Sequence, residues 1–158
     1  MKKYLLFFAV FTLLFSACKK SDSNTTTTVD PAVQAKIDDD KIQAYIKANN
    51  ITAVKDPSGL YYQIITPGSG TAPTVKSTVT VAYTGKLLDG TVFQTAPNYT
   101  SVLSGFIQGW IIGIPFIKPQ GRILLLIPSA LGYGTAPKSG IPANSVLIFT
   151  IDLFAVQG

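Results

Sequence analysis

At 158 residues the chain has room for one domain of ordinary size with appendages, and hardly for two. Its 13 Lys+Arg and 8 Asp+Glu give a formal net charge of +5; there is one Cys, and histidine is absent. Without His there is no Ser-His-Asp triad or Cys-His pair, and one Cys cannot form an intrachain disulfide. Nor can it supply a common zinc ligand set.

Met1-Lys2-Lys3 is a short basic start, and Tyr4 to Ala17 is a mainly apolar run. The run is shorter than the roughly 20 residues that cross a bilayer as a helix. It closes on Ser16-Ala17 before Cys18, which predicts a secretory signal peptide over 1–17. A Cys at that exit resembles the bacterial lipobox, with Phe15 where Leu is usual. The resemblance implies that Cys18 is lipidated and anchors the chain in the cell envelope. The expected place is the outer membrane, facing the periplasm or the cell surface. Residues 18–30 then read as the lipidated Cys and a flexible polar linker, since Ser21 to Thr28 has no apolar residue to bury.

Residues 31–57 are predicted as an N-terminal helical segment. Asp30-Pro31 has the form of a cap followed by Pro in the first turn. Val33 and Ile37 are four apart, and Ile42, Tyr45 and Ile46 recur at three and four, with Asp38-Asp39-Asp40 expected on the opposite face. Such a helix of about 17–20 residues, ending at Asn49-Asn50, dimerises, packs on its own domain or projects as a spacer. Asp56-Pro57-Ser58-Gly59 is a turn.

The domain is predicted over 58–158. Strand character runs from Leu60 to Ile65, and Val79, Val81 and Tyr83 alternate onto one face. Asp89-Gly90 carries a hairpin signal, with Val92-Phe93 resuming the strand. Arg122 to Ile127 and Val146 to Leu153 are further strands. Between them, a short helix after Gly109-Trp110 is expected to be distorted by Pro115. Exposed Ile111 and Ile112 would form an apolar patch on it. Asp89 and Asp152 read as hairpin-turn and strand-end residues. The glycines build no nucleotide loop, and Lys19-Lys20 is too small a basic cluster to argue for nucleic acid. No cofactor or metal is expected.

Val81 to Leu87, Asp89-Gly90-Thr91-Val92-Phe93 and Ile107-Gln108-Gly109-Trp110 together resemble the FKBP-type peptidyl-prolyl isomerases, the macrolide-binding immunophilins. Leu131-Gly132-Tyr133-Gly134 and Ile141 to Phe149 continue the likeness in unbroken order. The resemblance implies an α+β fold, a curved antiparallel sheet wrapped around a short helix, here preceded by the N-terminal helix. It implies an aromatic pocket with Trp110 as its floor, Tyr83, Phe93 and Phe149 as walls, and Tyr99 where Phe is usual. The Ile107 N–H would contact a bound carbonyl and the Tyr133 hydroxyl would hydrogen-bond the ligand. Phe106 is counted with the substrate contacts, and Ile141 lies at the rim. Gln94 stands where the family usually has Asp, and no Arg follows in Ala96-Pro97-Asn98.

The implied activity is cis-trans isomerisation of X–Pro bonds in unfolded or peptide substrates, with macrolides as ligands. Gln94 and the apolar helix motivate an alternative, a catalytically weak FKBP-like chaperone or protein-binding module.

Overall fold

The structure, a computed structural model, describes residues 30–158. The expected signal peptide, Cys18 and most of the expected linker lie outside these residues. Helix α1 (Pro31–Ala48) starts where Asp30 caps it: the carboxylate accepts from the N–H groups of Ala32 at 2.7 Å and Val33 at 3.4 Å. It stops at Asn49, whose side chain donates to the Tyr45 carbonyl, and Asn50 takes a left-handed φ of 53°.

Six antiparallel strands follow: β1 (Val54–Lys55), β2 (Tyr61–Thr66), β3 (Thr78–Lys86), β4 (Val92–Val102), β5 (Gly121–Ile127) and β6 (Leu147–Gln157). They form one sheet in the order β1-β2-β5-β6-β3-β4. Side chains alternate across it. Val79, Val81, Ile123, Leu125, Ile127, Leu147, Ile151 and Leu153 are buried on the inner face. Helix α2 (Gln108–Gly113) lies against that face, and the 3₁₀ turn Ile114–Phe116, with Pro115 inside it, ends its run.

The close seat of α2 depends on two glycines one turn apart. A Cβ at Gly109 would come within 2.6 Å of the Ile127 side chain, and one at Gly113 within 2.6 Å of Leu125. Ile111 and Ile112 are half-buried rather than an open patch, because α2 is sunk into the sheet; Ile112 packs against the core.

Helix α1 covers the outer face. Ile42 packs with Tyr61, Leu126, Val146 and Ile148 in a second cluster. The expected faces of α1 are partly reversed: Asp38 is fully buried, while Val33 and Ile37 are exposed. The five-residue step from Ile37 to Ile42 turns the stripe by about 140°, so Asp38, one turn before Ile42, shares its buried face instead.

Three strand details also differ from expectation. β1 follows α1 where no strand was expected and pairs with β2. β4 continues through Pro97, which an edge strand tolerates where the register slips between Tyr83↔Ala96 and Val81↔Tyr99. Asp152 is not a strand-end residue: it sits within β6 opposite Arg122, which donates to its two oxygens at 2.6 and 2.8 Å.

Candidate functional site

Trp110 enters the site because Gly109 lets α2 sit low on β5 and because Ile107 starts the helix. The Trp110 N–H donates to the Ile107 carbonyl at 2.9 Å. The indole is 2% exposed. Phe106 stacks on it at 4.7 Å, while Tyr83 and Phe149 meet it edge-on at 5.0 and 5.2 Å. These rings come from β3, β6 and the loop before α2, so four segments meet at one residue.

Above Trp110 opens a cavity of about 250 Å³. Its wall consists of Tyr83, Tyr99, Phe106, Ile107, Tyr133 and Phe149, with Gln94 and Gly105 at the edge. Of the residues expected here, Phe93 and Ile141 do not line it. Phe93 stands behind, its ring 5.5 Å from Phe149. Ile141 is 5% exposed and packs in the same core cluster as Tyr83, Trp110 and Phe149. Gly105 was not anticipated, since it contributes backbone and no side-chain signal. Gly85 has a supporting role: a Cβ there would come within 2.7 Å of both Phe93 and Phe149, so only glycine lets those two rings meet.

The wall carries no carboxylate and no imidazole; its ionisable groups are phenols. Burial, followed by the neighbouring Tyr99 and Tyr133 phenols, raises the pKa of Tyr83 above its ordinary value. The site is therefore uncharged at neutral pH. The Trp110 Nε1–H is buried without an acceptor among the described residues, at a cost of about 1–3 kcal/mol. The half-buried Ile107 N–H has no acceptor among the described backbone bonds, which leaves it able to donate to a carbonyl brought into the cavity. The exposed Lys138 places its Nζ 5.8 Å from the centroid of the Tyr133 ring.

The family model for the FKBP-type peptidyl-prolyl cis-trans isomerases matches residues 69–154, from before β3 into β6. The chain belongs to that family. FKBP-type peptidyl-prolyl cis-trans isomerase FkpA of Escherichia coli strain K12 is 42% identical over 104 residues, covering 63% of this chain and 38% of the relative. The FkpA of Aeromonas hydrophila is 33% identical over 141 residues, covering 82% of this chain and 53% of the relative. The chain thus spans between about two fifths and half of these relatives' length.

Among solved structures, FkpA from Escherichia coli superposes with a TM-score of 0.67 at 34% identity, covering 80% of this chain and 63% of that one. A peptidyl-prolyl cis-trans isomerase from Pseudomonas syringae pv. tomato gives 0.68 at 24% identity, covering 84% of this chain and 99% of that one, and supports the fold. The open antiparallel sheet around a short helix, preceded by α1, is as the resemblance implied.

Proposed function

We propose that the chain is a peptidyl-prolyl cis-trans isomerase acting on proline-containing unfolded or peptide substrates. The carrying observation is the uncharged aromatic cavity over Trp110 in a chain of this family. X–Pro rotation breaks no covalent bond; its barrier, about 18–20 kcal/mol for peptide bonds generally, is the loss of C–N resonance. The planar amide is more dipolar than the twisted one, so a dry apolar pocket favours the twisted state. Proline would sit over Trp110, between Tyr83 and Phe149. The Ile107 N–H and the Tyr133 hydroxyl would hold carbonyls on either side of it.

A ~10⁴-fold acceleration requires about 5–6 kcal/mol of differential stabilisation. That needs no titrating group, consistent with a wall of apolar side chains and phenols. Gln94 keeps the cavity edge neutral while offering both a donor and an acceptor. Macrolides that mimic a prolyl carbonyl would compete for the same cavity.

The test is the cis-to-trans relaxation of a short chromogenic X–Pro peptide. Acceleration proportional to protein concentration and blocked by a macrolide is expected; the uncatalysed rate at every concentration would rule the activity out.

We further propose that the protein works lipid-anchored through Cys18 in the cell envelope, where exported chains fold. The support is the basic start, the apolar run and the position of the sole Cys. Acyl chains contribute about 0.8 kcal/mol per buried CH₂. Membrane fractionation of the wild type and Cys18→Ser decides this: the variant is expected in the soluble fraction, and equal membrane retention would contradict the anchor.

A further inference from the structure

Helix α1 precedes the segment that the family model matches, yet it reaches the loop that carries Tyr133. Its Asp38 is fully buried. One carboxylate oxygen accepts from the Gln34 side chain at 2.7 Å. The other accepts both the backbone N–H and the hydroxyl of Ser129, at 2.8 and 2.6 Å, across 91 residues of sequence. Ser129 in turn organises the loop: its carbonyl accepts from the N–H groups of Gly132 at 3.0 Å and Gly134 at 2.8 Å, the two neighbours of Tyr133. Asn144 N–H closes the same loop onto the Gly134 carbonyl at 2.8 Å.

A cavity of about 290 Å³ lies beside the contact, bordered by Gln34, Ala35, Pro128, Leu131 and Asn144, so on that side α1 meets the loop through the polar contact. A buried carboxylate with three donors is costly to break, since removing it leaves two Ser129 donors unpaired.

We infer that Asp38 is a positioning residue for Tyr133: the helix outside the matched segment sets the loop that presents the tyrosine to the cavity. For its kinetic consequence this rests on the isomerase reading. Asp38→Ala is expected to lower kcat/KM about tenfold in the Tyr133 background, and less than about twofold once Tyr133→Phe has removed the hydroxyl. Asp38→Asn keeps an acceptor for Ser129 if the Gln34 amide turns over, and should restore kcat/KM to within about threefold of wild type.

Tyr61→Phe is the comparator. It breaks a different anchor of α1, the 2.7 Å bond from the Tyr61 hydroxyl to Asp39. It should lower the melting temperature and leave kcat/KM within about twofold. Amide hydrogen exchange reads the same coupling without catalysis: Gly132 and Gly134 should exchange faster in Asp38→Ala while the β5 amides keep their wild-type rates. Equal losses from Asp38→Ala in both Tyr133 backgrounds, or unchanged exchange at Gly132 and Gly134, would overturn the inference. A wild type without isomerase activity would remove the isomerase reading instead, and the exchange rates would then decide the positioning claim alone.

Discussion

The two helices grip one sheet from opposite faces, and different interactions hold them. Helix α2 has six residues, far too few to be stable alone, and owes its place to burial: Gly109, Trp110 and Gly113 are all sunk into the core. Helix α1 is three times longer and buries Ile42 and Asp38 alone among its residues. Its docking relies on a small apolar cluster and on polar anchors, Asp38 to Ser129 and Asp39 to Tyr61 and Lys55. An apolar seat admits few alternatives and suits the helix that builds the pocket. A polar seat is directional, and suits a helix that orients a loop.

The largest effect should come from α2. Trp110→Ala removes the cavity floor and three ring contacts, costing about 3–5 kcal/mol in denaturant unfolding. It should also lower kcat/KM on the order of 100-fold. On the other face, Ile42→Ala should cost about 2–5 kcal/mol, with Trp110 fluorescence in the folded state unchanged. A shifted Trp110 emission would mean that the two faces are not independent. Gly109→Ala, which adds a single methyl against Ile127, should destabilise by about 1–3 kcal/mol through overpacking. If it is neutral, α2 is less tightly seated than its geometry indicates.

The polar side of the comparison gives smaller, pH-dependent effects. Hydrogen bonds from Lys55 and then from Tyr61 hold the Asp39 carboxyl below its ordinary pKa. Its contribution is therefore complete above the usual carboxylate range and is lost as pH falls through the lowered folded value. Melting temperature should decline with acid in the wild type and less steeply in Asp39→Asn, which differential scanning fluorimetry would register. The smallest change is expected from Gln94→Asp. Wild-type kcat/KM should be flat from about pH 5 to about pH 9, because the cavity wall has no carboxyl or imidazole. The variant should gain an acid limb below about pH 5, with a change of less than about fivefold at neutral pH. A pH-dependent wild type would implicate a group outside the wall.

Much of this organisation was legible along the chain, for physical reasons that also mark where legibility ended. Val79, Val81 and Tyr83 alternate because one face of β3 is buried, and Asp30-Pro31 announces a helix through cap chemistry local to those residues. The motifs around Trp110 and Tyr133 are local too, and pointed to the cavity they line. Pro97 masked the length of β4, since its tolerance depends on the strand being an edge. The burial of Asp38 depends on Ser129, 91 residues away, and no periodicity within α1 could report it. An acidic triplet reads as a solvated face until its partner is known. Phe93 and Ile141 pack with the cavity aromatics without lining the cavity, and an aromatic or aliphatic motif residue looks the same along the chain in either position.

The central claim is that an uncharged aromatic cavity accelerates prolyl rotation. Its most direct test is the proline-limited slow phase of a refolding protein, followed with wild type, Trp110→Ala and Tyr133→Phe side by side. Wild type should raise the slow-phase rate in proportion to its concentration, Tyr133→Phe should retain part of that effect, and Trp110→Ala should retain almost none. Equal acceleration by all three, or none by the wild type, would contradict the account.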